Sequence, residues 1–551
     1  MAAPTPRPDI PRAKRDGLDL DLAEICAAGP AALSPEDHYR LKTYGVCTQR
    51  HPELFMVRLR VAAGVLARPQ TAAIAQAARK AAGGWVHLTT RQNVELHSVR
   101  LQDVPDLYDL LQPAGVVGRS ACGHTIRNVM ACAEAATSTE EPFDVRPDAQ
   151  RLSRLLLERS RKLNAALPSR VNIVLGGCAG CADDARTNDI GLVARVRHGR
   201  PGYQLWAGGS LGAAPRLSHL VHPFLERQEA WPAVQAIVDW FCAEGDIDQI
   251  ARGRLKFLIE DKGEAAFRAA FSKRFAALRA EEQPPLDPLT LPDPVALRHT
   301  LAAAPLRGWR PGVAPERTPG LATITVRVPL GDLLADELEA VADLAPGGRL
   351  TITKEQNLLL QHVPVGEVDR VLQGLAELHL GPDGARSAGD VRACPGLAFC
   401  SLAITASQPV ALAVERALAN RPELPRDLSI AVSGCPNSCS KQQAADIGLA
   451  GGKVKVAGRV GLGYQLTLGA DVGAGLLGEP VLRLAEAEVP AAVVAVVEIW
   501  QAMRRPGEPP GRTFRRLGLD ALGQAVADRM RATGRPQPLL DVVERPAEVA
   551  S

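Results

Sequence analysis

Apolar residues recur along this chain with two different periods, and the switching between them predicts a mixed fold of strands and helices. Residues 55–61 place apolar side chains at alternate positions, the two-residue period of a strand with one buried face. Residues 323–328 do the same. Each is followed by an Ala- and Leu-rich stretch of helical character and then by another strand, an order that predicts a small open-faced α/β sandwich. Later in each half comes a β-rich segment around a Gly-Cys turn, and then apolar helices such as residues 230–243 and 490–503. Residues 281–319 are proline-rich and aperiodic, which predicts a linker running over the surface. The first 30 or so residues and the last dozen read as loosely held termini.

These elements occur twice. Leu167-Pro168 leads to Gly176-Gly177-Cys178, then Asn188-Asp189-Ile190-Gly191-Leu192, then Gly202-Tyr203-Gln204-Leu205. The second half replays the order with Leu424-Pro425, Ser433-Gly434-Cys435, Asp446-Ile447-Gly448-Leu449 and Gly463-Tyr464-Gln465-Leu466. Upstream, Thr90-Arg91-Gln92-Asn93 answers Lys354-Glu355-Gln356-Asn357. The offset stays at about 260 residues throughout, as a duplication requires and chance similarity does not. The fold class is therefore α+β, built as two pseudo-repeated halves.

A length of 551 residues exceeds what one core serves, and 46% apolar with 23% charged residues is a globular composition. The formal charge of +3 is too small to suggest nucleic acid as a partner. The first residues lack an apolar core of signal-peptide type, and no uninterrupted apolar run reaches the roughly 18 to 20 residues of a spanning helix. The expectation is a cytoplasmic protein away from membranes. Eleven cysteines are too sparse and too unevenly spaced for a disulfide scaffold, so their clustering points to metal.

The strongest motif is Cys394-Pro395-Gly396-Leu397-Ala398-Phe399-Cys400 followed by Cys435-Pro436-Asn437-Ser438-Cys439. Four thiolates suit a cubane iron–sulfur cluster, and the adjoining Pro and Gly allow tight turns whose amides face its negative charge. Zinc competes for such a set, but structural zinc pairs usually span two to four residues, and the first pair here spans five.

With this pair of cysteine motifs the chain resembles the nitrite/sulfite reductase family over roughly residues 40 to 530. The resemblance implies a siroheme beside a [4Fe–4S] cluster held by Cys394, Cys400, Cys435 and Cys439, with Cys439 shared between cluster and siroheme iron. It implies an N-terminal extension over 1–40 and ferredoxin-like half-domains over 41–118 and 320–386. Siroheme-binding α+β domains then follow over 119–280 and 387–540, with the linker at 281–319 between the halves. Siroheme carries eight carboxylates, which call for cations and amides. By the same resemblance Arg50, Arg91, Gln92, Asn437 and Lys441 are its ligands, and Arg58, Arg127, Arg170 and Asn172 face the substrate. Relatives commonly show Leu-Pro-Arg-Lys-Phe where this chain has Leu167-Pro168-Ser169-Arg170-Val171. A guanidinium holds its proton where a lysine could release one, so Arg170 reads as an anion binder with water carrying the proton.

Asn172 stands where a second cation is an alternative. Fewer cations favour monoanionic nitrite over the largely dianionic sulfite, so the expected reaction is the six-electron reduction of nitrite, with sulfite reduction as the alternative. Precorrin-3B synthase, an oxygenase, and a plain electron carrier share the cluster cysteines but have no need of the arginine set. Without a Gly-rich dinucleotide fingerprint, the electron donor is expected to be a separate protein, ferredoxin. In the first half the repeat register maps Cys394 onto Cys132 and Cys435 onto Cys178, but Cys400 onto Ser138 and Cys439 onto Ala182. Cys132, Cys178 and Cys181 are expected to be leftover thiols, with an incidental metal or redox site as the other reading. Cys26, Cys47, Cys122 and Cys242 are expected to be packing residues.

Overall fold

The structure, a computed structural model, describes residues 8–289, 291, 312–419, 428–456, 458–532 and 539–543. They fall into two compact units. The first comprises Met1–Ser210, Arg216–Val326 and Asp332–Gly381; the second comprises Leu211–Pro215, Arg327–Gly331 and Pro382–Ser551.

The strands of the first unit come in three groups. The first is β1 (Val46–Thr48), β2 (Leu54–Leu59), β3 (Val65–Leu66), β4 (Trp85–Leu88) and β5 (Val94–Arg100). Next are β6 (Ile126–Ala131), β7 (Val171–Gly176), β8 (Ile190–Arg197), β9 (Arg200–Ala207) and β10 (His219–Glu226). The last are β11 (Val313–Pro315), β12 (Leu321–Val326), β13 (Asp332–Leu334), β14 (Leu350–Ile352) and β15 (Leu358–Pro364). They build three five-stranded sheets, in the orders β1-β2-β5-β4-β13, β10-β9-β8-β7-β6 and β11-β12-β15-β14-β3.

Two of these sheets exchange a strand. β13 pairs with β4 and β3 pairs with β14, so neither ferredoxin-like half-domain is complete without a strand from the other. The repeated Gln-Asn motif closes the exchange. Gln92 (φ 54°) donates to the Ile352 carbonyl at 2.9 Å, and Gln356 (φ 70°) donates to the Leu88 carbonyl at 3.0 Å. Gly64 makes room for the first of these, since a Cβ there would lie 2.7 Å from the Gln92 amide.

In the middle sheet β6, β7 and β8 run parallel and β9 and β10 antiparallel. Its apolar face is covered by the helices Ala230–Glu244 and Glu264–Arg279, where Trp240 and Phe267 meet at 4.9 Å between ring centroids. The second unit repeats this topology with β16 (Arg392–Ala393), β17 (Ile430–Ser433), β18 (Ile447–Val456), β19 (Arg459–Leu468) and β20 (Glu479–Ala485), and adds β21 (Leu540–Val542) at the edge. β16, β17 and β18 are again parallel. The helix Val489–Met503 buries Trp500 against this sheet.

The structure corrects three expectations about chain ends and linkers. The N-terminal segment is packed from the helix Ile10–Asp16 onward, and Lys14, 5% exposed, donates to the carbonyls of Asn164 and Leu167. Val313–Pro315, assigned to the linker, is the edge strand β11, whereas 290 and 292–311 lie outside the described residues. Leu540–Val542, assigned to a loose terminus, pairs with β20. In each case a few apolar or cationic residues find partners distant in sequence, which local periodicity does not reveal.

Candidate active site

The alternation along β2 buries Phe55, Val57 and Leu59 and turns Arg58 to the opposite face. There Arg58 Nε donates to Glu95 Oε1 at 2.8 Å and Nη1 donates to Cys122 Sγ at 3.1 Å. Burial opposes the charge on both partners, but the ion pair wins: Arg58 is held above and Glu95 well below its ordinary range. Cys122 is buried, as expected of a packing residue, and its thiol pKa is also lowered. Burial would raise it, but a hydrogen bond with Cys47 and the nearby Arg58 and Arg127 outweigh that.

Arg127 begins β6 and Arg170 immediately precedes β7, and these parallel neighbours pair Ile126 with Val171. The strand register thus carries both guanidiniums to one end of the sheet. Arg127 donates to the Ala121 and Gly123 carbonyls at 2.6 and 2.9 Å, and burial followed by repulsion from Arg58 brings it down to about 10. Arg170, half-buried, makes no hydrogen bond or ion pair among the described residues. Repulsion from Arg254 first, then burial, Arg127 and Arg91, pushes it well below the ordinary arginine range. A cluster of like charges in a partly dry site is a site for anions.

Arg254, Lys256 and Asp189 are functional candidates that sequence reasoning missed. Arg254 caps the helix Leu255–Lys262, with Lys256 in its first turn, so the positive helix end adds to the cationic field. Arg254 Nη2 donates to both oxygens of the fully buried Asp189, at 2.8 and 2.9 Å, while its Nε is buried without a partner among the described residues. Burial, then Arg254, lowers Lys256 to about 8. The signal available in sequence was the spacing Arg252-Gly253-Arg254-Leu255-Lys256, which by itself reads as a solvated basic run.

Two of the expected site residues already have partners within the protein. Gln92 spends its amide on the backbone: Nε2 donates to the carbonyls of Ala131 (3.0 Å) and Ile352 (2.9 Å), and Oε1 accepts from Ala131 N at 2.9 Å. Its two donors are used up, so it is a strut of the strand exchange. Asn172 is buried and donates through both N and Nδ2 to Asp189 Oδ2, at 2.8 and 3.0 Å. It therefore orients the carboxylate that holds Arg254. Arg91 is half-buried among the cations around Arg170, and Arg50 is exposed.

In the second unit, Cys394 follows β16 and Cys435 follows β17, so parallel strands deliver the two motifs side by side. Gly434 N donates to Cys394 Sγ at 3.2 Å. Glycine is required here, since a Cβ on Gly396 (φ 59°) would lie 2.3 Å from Ser407 Oγ, and one on Gly434 would lie 2.7 Å from the Thr405 carbonyl. Burial, then the neighbouring Cys439, pushes Cys394 up to about 12, and burial likewise raises Cys435. Thiols raised by burial favour a cationic iron core that stabilises their thiolates, and backbone N–H groups already donate to Cys394 and Cys435. Asn437 also hydrogen-bonds Cys435, while Ser438 and Lys441 take left-handed φ of 60° and 62° to turn Cys439 outward to an exposed position. Lys441 itself is buried. The residues fit the cluster, and the arginine pocket of the first unit fits the carboxylates of siroheme.

The sequence matches the family described as "Nitrite and sulphite reductase 4Fe-4S domain" at residues 122–277 and 385–533. It matches "Nitrite/Sulfite reductase ferredoxin-like half domain" at residues 48–114 and 314–378. The assimilatory ferredoxin-dependent nitrite reductase of Haloferax mediterranei is 31% identical, covering 93% of this chain and 91% of the relative. The ferredoxin–nitrite reductase of Synechococcus elongatus is 29% identical over 84% and 89%. Among solved structures, the Mycobacterium tuberculosis NirA protein superposes with a TM-score of 0.78 at 25% identity, covering 93% of this chain and 96% of that one. Among the described residues no helix is long and apolar enough to cross a membrane. Each family match occurs twice, once in each half, as the duplication and the four-cysteine motif require, and the chain belongs to the nitrite and sulfite reductase family, oxidoreductases that use siroheme and a [4Fe–4S] cluster.

Proposed function

We propose that this chain reduces nitrite to ammonia in the cytoplasm with electrons from ferredoxin. The observation that carries the reading is Arg170, a half-buried guanidinium that makes no hydrogen bond or ion pair among the described residues and is crowded by Arg254, Arg127 and Arg91 more than Asp189 offsets. Such an arrangement is unfavourable until an anion fills it. The two relatives just named are ferredoxin-dependent nitrite reductases and match nearly the whole chain. Eleven thiols without a disulfide among the described residues suit a reducing compartment.

When bound, the cluster and siroheme supply the relay of single electrons and the iron that takes the substrate nitrogen. Arg170, with Arg127 and Arg58, binds the oxyanion and stabilises negative charge as each N–O bond breaks. Lys256, lowered to about 8 by burial and Arg254, is matched to proton donation near neutral pH and supplies what Arg170 cannot. In the cofactor sites Cys394, Cys400, Cys435 and Cys439 would hold the cluster, Cys439 would couple it to siroheme, and Arg91, Arg50, Asn437 and Lys441 would serve the siroheme carboxylates. One nitrite takes up six electrons and eight protons and leaves as ammonium and two waters.

Sulfite is the second reading, favoured by a specific observation: Arg254 and Lys256 restore the cations that Asn172 appeared to remove. Steady-state kinetics with reduced ferredoxin, comparing nitrite and sulfite on one siroheme-quantified preparation, decide between them. A higher kcat/KM for sulfite would overturn the assignment.

A further inference from the structure

The half that has lost its iron–sulfur ligands keeps three thiols, and the fold gathers them. Cys132 follows β6 and its N–H donates to the Leu175 carbonyl on β7 at 2.9 Å. Cys178 caps the helix Ala179–Arg186, and Cys181 lies in that helix's first turn. The three sulfurs all lie within 4.8 Å of one another, and Cys132 and Cys178 are 3.4 Å apart. They are the only such group of potential ligands among the described residues.

We propose that the first unit holds a second metal centre, a single zinc-class ion bound by Cys132, Cys178 and Cys181. Tetrahedral zinc with Zn–S bonds of about 2.3 Å sets its sulfurs roughly 3.8 Å apart, between the 3.4 Å of the Cys132–Cys178 pair and the 4.8 Å that bounds all three. A cubane spreads its thiolates over separate irons and needs wider spacing and a fourth cysteine, and the register leaves Ser138 and Ala182 in the two remaining positions. Two residues between Cys178 and Cys181 is the usual zinc-pair gap.

An independent observation supplies a fourth donor. The Glu141 side chain is fully buried, and its Oε1 has no hydrogen-bond partner among the described residues. Oε2 is anchored by Ala136 N at 2.7 Å and faces Arg317 at 3.7 Å. Oε1 lies over Gly177, beside Cys178, and a Cβ on Gly177 would be 2.4 Å from it. A buried carboxylate oxygen with nothing to accept from is costly in a closed fold and natural beside a cation. Glu141 completes the site directly or through a water. Lys354, whose Nζ lies 3.0 Å from both the Gly180 carbonyl and Asp184 Oδ2, offsets the negative charge of the thiolates. With three protein thiolates and no open route to a substrate required, the site is of the structural kind and ties β6 to the loop after β7.

The test is metal counting on holoenzyme carrying siroheme and cluster, equilibrated with zinc, freed of excess and measured by plasma mass spectrometry beside Cys181→Ser and Cys132→Ala. The expected result is one zinc per chain in wild type and at least a tenfold lower content in both variants, with siroheme absorbance and iron unchanged. Glu141→Gln, a milder change that leaves the thiols in place, is expected to weaken zinc about 10- to 100-fold. Wild type without zinc overturns the proposal, as does zinc retained by both cysteine variants. Iron beyond one cubane and one siroheme that disappears in those variants, or a Cys132–Cys178 disulfide in the native protein, overturns it equally.

Discussion

Replacing Arg170 by glutamine separates what the anion pocket does for function from what it costs the fold. Arg170 makes no hydrogen bond or ion pair among the described residues, and the repulsion from Arg254, Arg127 and Arg91 outweighs the pull of Asp189. Removing its charge takes no ion pair away. Relief of repulsion at a half-buried position is expected to stabilise the protein by about 0.5–2 kcal/mol, the range for function-constrained sites. Because this unit is larger than roughly 250 residues, each kcal/mol raises Tm by only about 1–2 °C. The effect on turnover has the opposite sign. A hydrogen bond to a charged group contributes about 1.5–3 kcal/mol, so kcat/KM for nitrite should fall about 10- to 150-fold. Reduced methyl viologen serves as donor, so that ferredoxin docking does not enter, and rates are normalised to siroheme. A variant that melts lower than wild type and keeps its kcat/KM would refute the reasoning, because it would mean that Arg170 is a satisfied structural residue.

Lys256→Met should abolish a kinetic pKa in the nitrite reaction. Wild-type Lys256, lowered to about 8, is protonated below that pH, so activity should fall as pH rises through about 8, and a profile unchanged in the variant would exclude the lysine as proton donor. Cys439→Ser should remove six-electron turnover and the coupling between cluster and siroheme in electron paramagnetic resonance, since a hydroxyl is a poor bridge between soft iron centres; full turnover with an unaltered spectrum contradicts its bridging role. Asn172→Lys places its ammonium against Asp189, in competition with Arg254, so the ratio of nitrite to sulfite kcat/KM should change less than about tenfold. A larger shift toward sulfite would show that position 172 reads substrate charge directly.

Much of this was legible in the sequence because duplication writes each feature twice. The two half-domain types and the strand bearing Arg58 follow from motif and period. The strand exchange did not, since β3 and β13 are two and three residues long and their partners lie in the opposite half. A strand that short carries no period. The same limit hid Lys14, whose partners Asn164 and Leu167 are about 150 residues away, and Asp189, whose importance depends on Arg254. The Gln92 motif was legible as a repeat, but its part in the strand exchange was not. A repeated polar residue can be kept by a cofactor or by the backbone, and only the accounting of its donors separates the two.

The two halves show which parts of a duplicated scaffold can diverge independently. Both units place a cysteine directly after the first parallel strand and another after the second, Cys132 and Cys178 in one, Cys394 and Cys435 in the other. The strands fix these two positions, so the thiols persist wherever the sheet does. The other two cluster ligands, Cys400 and Cys439, sit in turns that need Gly396 at φ 59° and Ser438 at φ 60°. Turns tolerate change more readily than paired strands. Loss of a cubane should therefore begin in the turns and leave a strand-held pair behind, which a single cysteine at the start of the following helix can convert into a site for one ion. Cys181, one residue away from the register of Cys439, is placed where that conversion requires it.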